Sequence, residues 1–324
     1  MTTTTTALRR QIGSAKDLKS VVRTMKASAA SAIGQYESSV AALADYARTV
    51  EHGLGVCLRS INSNTSPAPS LPRSADDAVV RAVVFGSDQG LVGRFNEVVV
   101  DHAMVDLGPL RAKAQVWAVG DRVRTRLLDA EVPPVGSFLV PGSVQLITRL
   151  VAQILLTVQA PDRETASKPS TGTLLLFYNR PTDSGYTPVT QRLLPLDEKW
   201  QRGLARQPWP TAQRPEVLGL EPQALRAFIR EHLFVSLFRA CAESLASENA
   251  SRLAAMQRAD RNIGELLTDL GAKFHRLRQS SIDEELFEVI AGFDAMAAPA
   301  VPAEASTGHS ADAHAHRDDT HHAG

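Results

Sequence analysis

The sequence SRLAAMQRADRNIGELLTDLGAKFHRL, residues 251–277, lies within a run of about 75 residues, Pro222 to Met296, that contains no internal proline. Its apolar residues recur at steps of three, four and once seven: Leu253, Met256, Ile263, Leu267, Leu270, Phe274 and Leu277. This spacing predicts a helix with one apolar seam. At about 1.5 Å per residue, the whole run would make a helix about 110 Å long. A domain of this size cannot bury such a helix, so the seam needs a partner helix.

The partner is predicted at the other end of the chain. Its seam runs from Leu8 to Leu54 in thirteen steps over 46 residues, which is about 3.5 residues per step. The members are Leu8, Ile12, Ala15, Leu18, Val22, Met25, Ala29, Ile33, Tyr36, Val40, Leu43, Ala47, Val50 and Leu54. Such a repeat winds helices left-handedly around each other. We therefore predict a long antiparallel two-helix coiled coil, with ordinary bundle helices as the alternative.

Charge in the first helix points to a partner. Arg9 and Arg10 lie in its first turns, where cations oppose the helix dipole. An acidic surface on another protein would explain them, and a solvated basic face is the alternative. Over the whole chain, 35 basic side chains balance 35 acidic ones, so nothing favours nucleic-acid binding. The composition and the lack of a long apolar run predict a cytosolic or membrane-peripheral protein.

Between the two long helices the hydrophobic period changes. Strands are predicted at 79–85, 115–119 and 173–178, with an edge strand at 188–196, and helices at 96–104, 122–128 and 143–159. This alternation is typical of an open, mostly parallel α/β (Rossmann-like) sheet, inserted at the base of the coiled coil. The predicted segments are an N-terminal coiled-coil helix at 1–61, a linker at 62–74, an α/β domain at 75–220 with an irregular excursion at 199–220, a C-terminal coiled-coil helix at 221–296 and a disordered His-rich tail at 297–324.

Chemistry-bearing motifs are scarce. The loop from Gly86 to Asn96 has three glycines between a strand and a helix, but its G-x-x-x-G-x-x-G spacing matches neither the dinucleotide fingerprint nor a P-loop. Cys57 and Cys241 are expected to be reduced core residues. No zinc-protease, C-x-x-C or nucleophile-elbow motif is present. We predict no catalytic residue, cofactor or metal ion, and tight turning as the role of the loop.

Three stretches resemble the γ subunit of the rotary F-type ATP synthases. They are IGSAKDLKSVVRTMKASAAS at 12–31, SDQGLVGRFN at 87–96, and ESLASENASRLAAMQRADRNIGELLTDLGAKFHRLRQSSIDEELFEVIAG at 243–292. The third is the most specific, being similar to the family's A-S-E-x-x-A-R-x-x-A-M segment and its K-A-R-Q-x-x-I-T-x-E-L end. The likeness covers nearly the whole chain up to Met296, and the order of helix, α/β domain and helix matches as well.

The resemblance implies a non-catalytic central rotor shaft. Its partners would be the α and β subunits of the catalytic hexamer around the helices, and the ε subunit and the membrane c-ring at the α/β foot. The shaft would lie at the cytoplasmic face of the membrane, peripheral to it. By position in the motifs, Met25, Arg278 and Gln279 match contacts with the β subunits. Asp283 stands where the family has threonine, which alters that contact.

Departures from the family pattern suggest a divergent paralogue, such as the N-type ATPase. The chain continues beyond the usual family end with histidines at 309, 314, 316, 321 and 322, which form a candidate weak metal-binding tail or a spacer. The coupling ion, proton or sodium, is set by the membrane ring. The rival functions are a nucleotide-binding enzyme that uses the Gly86 to Asn96 loop and a free-standing coiled-coil scaffold.

Overall fold

The computed structural model of the chain describes residues 4–64, 79–158, 172–213, 215 and 221–297. Its helices are α1 (Thr5–Asn64), α2 (Phe95–Leu107), α3 (Asp121–Asp129), α4 (Val144–Val158), α5 (Glu198–Arg206) and α6 (Glu221–Ala297), with a 3₁₀ helix at Gly108–Lys113. The strands are β1 (Val80–Phe85), β2 (Ala114–Val119), β3 (Gly136–Phe138), β4 (Thr173–Thr182) and β5 (Gly185–Leu194). Two compact units are formed, one by residues 12–268 and one by the described parts of 1–11 and 269–324.

In the larger unit, α1 and α6 run antiparallel, as predicted. Gly53 of α1 lies against the Phe228 ring of α6, and further along α1 the Lys26 Nζ is 2.9 Å from Asp260 Oδ2. Ala15 and Val22 pack against Met256 and Ile263 to form a buried cluster between the helices. The predicted fold, a long coiled coil with an inserted α/β domain, is confirmed.

Burial along α1 follows a seven-residue spacing: Leu8, Ala15, Val22, Ala29, Tyr36, Val50 and Cys57 are buried, and Leu43 between them is half-buried. This is the heptad position that faces the partner helix directly. One member of the predicted seam is wrong, because Leu18 is largely exposed. Lys19 and Lys26 take the half-buried positions at that level, seven and fourteen residues after Ile12. Their aliphatic stems cover the seam while the ammonium groups reach its edge.

The five strands form one sheet in the order β3-β2-β1-β4-β5. β1 pairs in parallel with β2 and β4, β2 pairs in parallel with β3, and β5 pairs antiparallel with β4. The mostly parallel sheet was predicted, and its Val- and Ala-rich central strands are buried on both faces, as parallel sheets require. One core lies between the sheet and α4 and α6, and a second between the sheet and α2 and α3.

Several boundaries differ from the sequence prediction. α1 extends to Asn64, three residues into the predicted linker, and residues 65–74 of that linker lie outside the described part of the chain. β3 was missed because a three-residue strand carries no periodic signal. The predicted excursion at 199–220 contains most of α5, whose N-cap Asp197 accepts a hydrogen bond from the Lys199 backbone N–H at 2.7 Å. The predicted tail beyond residue 297 lies outside the described residues.

Candidate functional site

The loop between β1 and α2 is held by its own side chains. The Ser87 backbone N–H donates to Asn96 Oδ1 at 3.0 Å, and Asn96 Nδ2 donates to Ser87 Oγ at 2.9 Å. Ser87 Oγ in turn donates to the Gln89 carbonyl at 2.9 Å. Ser87 and Asn96 are both buried, so these bonds satisfy polar groups that water cannot reach. The loop is therefore preorganised by the residues of its own motif.

Asp88 connects this loop to two further elements. Its Oδ1 accepts a hydrogen bond from the Asp121 backbone N–H at 3.0 Å, and its Oδ2 accepts one from the Val140 backbone N–H at 2.9 Å. Because α3 begins at Asp121, the carboxylate lies where the helix dipole favours negative charge and where first-turn N–H groups lack helical partners. The chain's own carboxylate thus takes the place that an anion from solution would occupy at this helix terminus.

Helix α6 is tied to the same edge of the sheet by side chains spaced four residues apart. Glu243 accepts a hydrogen bond from Arg180 Nε at 3.0 Å, and Ser247 Oγ donates to the Asn179 carbonyl at 3.0 Å. Ser251 Oγ donates to the Val92 carbonyl in the β1–α2 loop. The spacing places all three on one face of α6. We call this row of contacts, made by Glu243, Ser247 and Ser251, the helix clamp.

The helix clamp lies where an enzyme of this sheet type would bind its ligand. In open parallel sheets, ligands bind outside the carboxyl ends of the strands, where the strand order reverses. Here that point is between β1 and β4, and the clamp bonds to the loop after β1 and to Asn179 near the end of β4. The chain fills this position with its own helix, which argues against the nucleotide-binding alternative.

A buried ion pair lies beside the clamp. Arg252 Nη2 is 2.7 Å from Glu248 Oε1, and both side chains are nearly inaccessible. Burial raises the pKa of Glu248, and the Arg252 charge opposes that rise. The pKa of Tyr36 on α1 is also raised, mainly by burial and to a lesser extent by the neighbouring Cys241 and Glu248. The second carboxylate oxygen, Oε2, and the Arg252 Nε have no hydrogen-bond partner among the described residues, so the pair is only partly compensated.

The residues predicted to contact partners fall into three environments. Met25 is half-buried and packs against the Ala15, Val22, Met256 and Ile263 cluster. Arg9 and Arg10 are exposed, and the Arg9 guanidinium carbon lies 5.6 Å from the centroid of the Phe274 ring. The remaining three, Arg278, Gln279 and Asp283, are exposed on α6, and their side chains make no hydrogen bond or ion pair within the described part of the chain. The structure brings Arg9 against α6 and leaves the α6 trio facing outward.

Sequence reasoning missed one cluster that resembles a catalytic triad. Thr190 Oγ1 is 2.9 Å from His102 Nε2, and Asp106 contacts Thr190 as well. In a triad the carboxylate orients the ring through the nitrogen that does not meet the hydroxyl. Here Asp106 Oδ2 lies 3.5 Å from the same Nε2, so the arrangement ties α2 to β5 and lacks the geometry for nucleophilic catalysis. It had no sequence signal, because Thr190 lies 84 positions from Asp106 in the chain.

The end of α6 is apolar and uncovered. All side chains from Ile282 to Phe293 are exposed, including Phe293 at 73%, and Met296 is 88% exposed. At about 100° per residue, six apolar side chains fall within a stripe about 120° wide: Ile282, Leu286, Val289, Ile290, Phe293 and Met296. Acidic side chains occupy much of the rest of the circumference. We call these six residues the apolar stripe.

The described residues carry neither of two other kinds of site. No group of three or more His, Cys, Asp or Glu side chains within these ranges is arranged to hold a metal ion. Nor does any helix in the described part of the chain combine the length and the apolar character needed to cross a membrane. Cys57 and Cys241 are buried and form no disulfide with each other, and burial raises the pKa of Cys241 strongly.

Comparison with known proteins gives consistent matches. A protein-family model described as ATP synthase matches residues 4–296. An ATP synthase gamma chain of Granulibacter bethesdensis is 27% identical over 303 residues, which cover 90% of this chain and 98% of the relative. One from Moorella thermoacetica is 26% identical over 299 residues, covering 89% and 98%. A rotor chain of the Euglena gracilis mitochondrial ATP synthase has the same fold, with a TM-score of 0.60 at 15% identity, covering 86% of this chain and 98% of that one.

Proposed function

The chain belongs to the γ-subunit family of ATP synthase, and from this premise we propose that it is the rotor shaft that transmits torque between a membrane ring and a catalytic hexamer. The coupling ion is a proton or a sodium ion, and the membrane ring selects it. The chain itself performs no chemistry, because the nucleotides are bound and hydrolysed on the β subunits. Its place is at the cytoplasmic face of the membrane, held there through the complex.

The apolar stripe is the observation that carries this proposal. An isolated helix has little stability of its own in water, since most helical stability comes from packing. Each square ångström of apolar surface removed from water contributes about 25 cal/mol, so binding of the stripe inside a surrounding protein surface would be strongly favoured. The α and β subunits of the hexamer are the partners that we propose for it.

The predicted contact residues extend this interface along the shaft. Arg278, Gln279 and Asp283 lie at the start of the stripe and are exposed, so their polar side chains are available to the β subunits. Arg9 and Arg10 present cations near the start of α1, where an acidic partner surface would offset their unfavourable position in the helix dipole. Met25 contributes through the seam, because its half-buried side chain helps to set the spacing of the two helices.

Torque must pass between the helices and the α/β domain, and the helix clamp provides the connection. Glu243, Ser247 and Ser251 bond to β4 and to the β1–α2 loop, so rotation of the sheet turns α6 with it. The ε subunit and the c-ring are the proposed partners of the α/β domain. A rod whose faces differ contacts three neighbouring β subunits differently. Only contacts that differ between open and closed β states shift their populations.

The test is reconstitution of the full chain with the α and β subunits, followed by measurement of ATP-driven rotation. For the double variant Ile290→Asp/Phe293→Asp we expect a large loss in the yield of assembled complex or in its torque, because the variant places charge in the apolar interface with the α and β subunits. The matched control Glu284→Ala/Glu288→Ala alters the acidic face at the same level and should assemble and rotate normally. Full torque from the stripe variant would refute the proposal.

A second variant tests stiffness separately from this apolar interface. A pair of prolines introduced near Leu253 breaks helical hydrogen bonds and kinks the helix, and alanines at the same positions do not. We expect the proline variant to keep ATP hydrolysis in the assembled complex while its torque falls. Undiminished torque would show that a stiff α6 is not required.

A further inference from the structure

A groove lies beside the edge strand β3, between the loop that follows it and helix α4. Leu139, Val140, Leu146, Arg149, Gln153 and Thr157 line it. All of these residues belong to the larger unit. The helix clamp and the apolar stripe do not include them, so none of the contacts argued above involves these residues.

Apolar side chains are exposed on and around this groove. Leu139 is 80% exposed, and Val135, Leu146 and Leu156 are also exposed. Helix α4 buries one face, which includes Ile147, Leu150 and Ile154, in the core beneath the sheet. A second stripe of α4 residues, spaced at three and four, lines the groove instead. Clustered exposed apolar groups of this kind mark interaction surfaces, whereas single ones do not.

The sheet edge limits the form of the occupant. Among the described strands, β3 pairs only with β2, so the backbone groups on its outer side have no neighbouring strand. An edge of this kind pairs with an added strand. A docked helix would satisfy its own backbone and leave the edge groups of β3 unpaired. An extended segment pairs with them and places alternate side chains into the groove.

Charge defines one further property of the occupant. Arg149 is the only charged residue that lines the groove, and it makes no ion pair within the described part of the chain. A guanidinium at the rim of an apolar groove favours a carboxylate in a fixed, bidentate geometry.

We propose that this groove binds an extended segment of another subunit, which adds a strand to β3, places apolar side chains against Leu139 and Leu146, and pairs one carboxylate with Arg149. The proposal rests on the proposed function only in taking the partner to be a subunit of the same complex. It concerns a different surface from the shaft, so the two succeed or fail separately.

The first experiment uses the full-length tagged chain, co-expressed with the other subunits and purified as the detergent-solubilised complex. Leu139→Asp and Arg149→Glu are compared with Val105→Asp, a control on α2 at a residue that is 77% exposed. Native mass spectrometry measures subunit content. We expect both groove variants to retain one subunit other than α or β at least about tenfold less than the control does. Retention of that subunit at the control level, with or without loss of α and β, would overturn the proposal, whereas absence of α and β from the control complex would count against the shaft.

The second experiment identifies the segment. A photo-crosslinking amino acid at position 139 in the assembled complex should capture an extended peptide that carries apolar residues and one Asp or Glu. Reversal of that carboxylate to lysine should restore the subunit to the Arg149→Glu complex. A cross-link within the same chain or to a second copy of it, or a charge reversal that restores nothing, would overturn the proposal.

Discussion

Two regions of helix α6 have similar apolar content and opposite burial. From Leu233 to Glu248, Arg239 is the only exposed residue, whereas from Ile282 to Phe293 every residue is exposed. The first region packs against the sheet, α1 and α4 around Leu237 and Cys241, and among the described residues no such core surrounds the second. The apolar content of a helical segment therefore does not determine whether the segment is buried in the chain's own core or left exposed for an interface. That depends on what the rest of the fold places around it.

The largest expected effect comes from removing the positive partner of the buried carboxylate. Arg252→Met leaves Glu248 uncompensated, which costs about 3–5 kcal/mol in the free energy of unfolding. Urea titration of the full chain measures it. The control Lys273→Met removes the exposed pair with Asp269 and should cost at most about 1 kcal/mol. Equal losses in the two variants would contradict the distinction between buried and exposed pairs.

This loss should depend on pH in a defined direction. A carboxyl whose pKa is raised by folding binds its proton more tightly in the folded state, so stability falls as pH rises from the unfolded pKa to the folded one. Without Arg252 the folded pKa of Glu248 rises further. The Arg252→Met deficit should therefore be largest at neutral pH and shrink on acidification, and a deficit that is independent of pH would exclude this origin.

The second prediction compares the two regions of α6 directly. Leu237 is fully buried, so Leu237→Ala removes packed methyl groups and should destabilise the isolated chain by about 2–5 kcal/mol. Ile290→Ala, in the exposed region, should change the stability of the isolated chain by less than about 0.5 kcal/mol. Its effect should appear as weaker assembly with the α and β subunits. A large loss in the isolated chain would show that Ile290 already has an internal partner.

A smaller effect of opposite sign is expected at a helical glycine. A Cβ atom at position 271 would have no atom of the described residues within 4 Å, apart from the helix's own backbone. Gly271→Ala should therefore stabilise the chain by about 0.5–1 kcal/mol. The contrasting site is Gly120, where φ is +114° and a Cβ would lie 2.7 Å from the Ser87 carbonyl oxygen. Gly120→Ala should destabilise. Thermal unfolding distinguishes the two signs, and a stabilised Gly120→Ala chain would contradict the close contact.

The smallest effect is expected at the edge of the seam. The hydrogen bond from Lys26 is the main reason that the pKa of Asp260 lies below its ordinary value, and Arg23 adds to it. A depressed carboxyl pKa contributes stability above the unfolded pKa, and that stability is lost as pH falls through the folded pKa. Asp260→Asn should thus flatten the acid limb of the stability curve. Asp45→Asn, which loses only a pair with Arg48 on the same helix, is the control and should leave that limb unchanged.

Prediction from the sequence worked best where one period dominates. The seven-residue recurrence from Leu8 to Tyr36 identified the buried face of α1, since a helix of fixed pitch can present only one face to a partner. The prediction failed at Leu18, where Lys19 takes the half-buried position. A hydrophobic pattern counts lysine as polar, although its aliphatic chain can cover apolar surface.

The candidate site was harder to predict. The motifs at 87–96 and 243–292 were visible, but the bond from Ser251 to the Val92 carbonyl joins residues 159 positions apart. Polar residues spaced by four on the most apolar part of α6 were the only signal for the helix clamp. The groove at β3 had no signal, because a three-residue strand and its neighbours carry no pattern.

Local periodicity by itself determined the two long helices, their apolar seams and the parallel α/β insertion. The pitch of a helix and the pleat of a strand fix which residues share a face, so the spacing of apolar residues identifies that face. The tertiary structure alone decided which apolar faces are covered, where the two helices pair, and that α6 occupies the carboxyl edge of the sheet. Those outcomes depend on contacts between residues far apart in the chain, and no local pattern encodes such contacts.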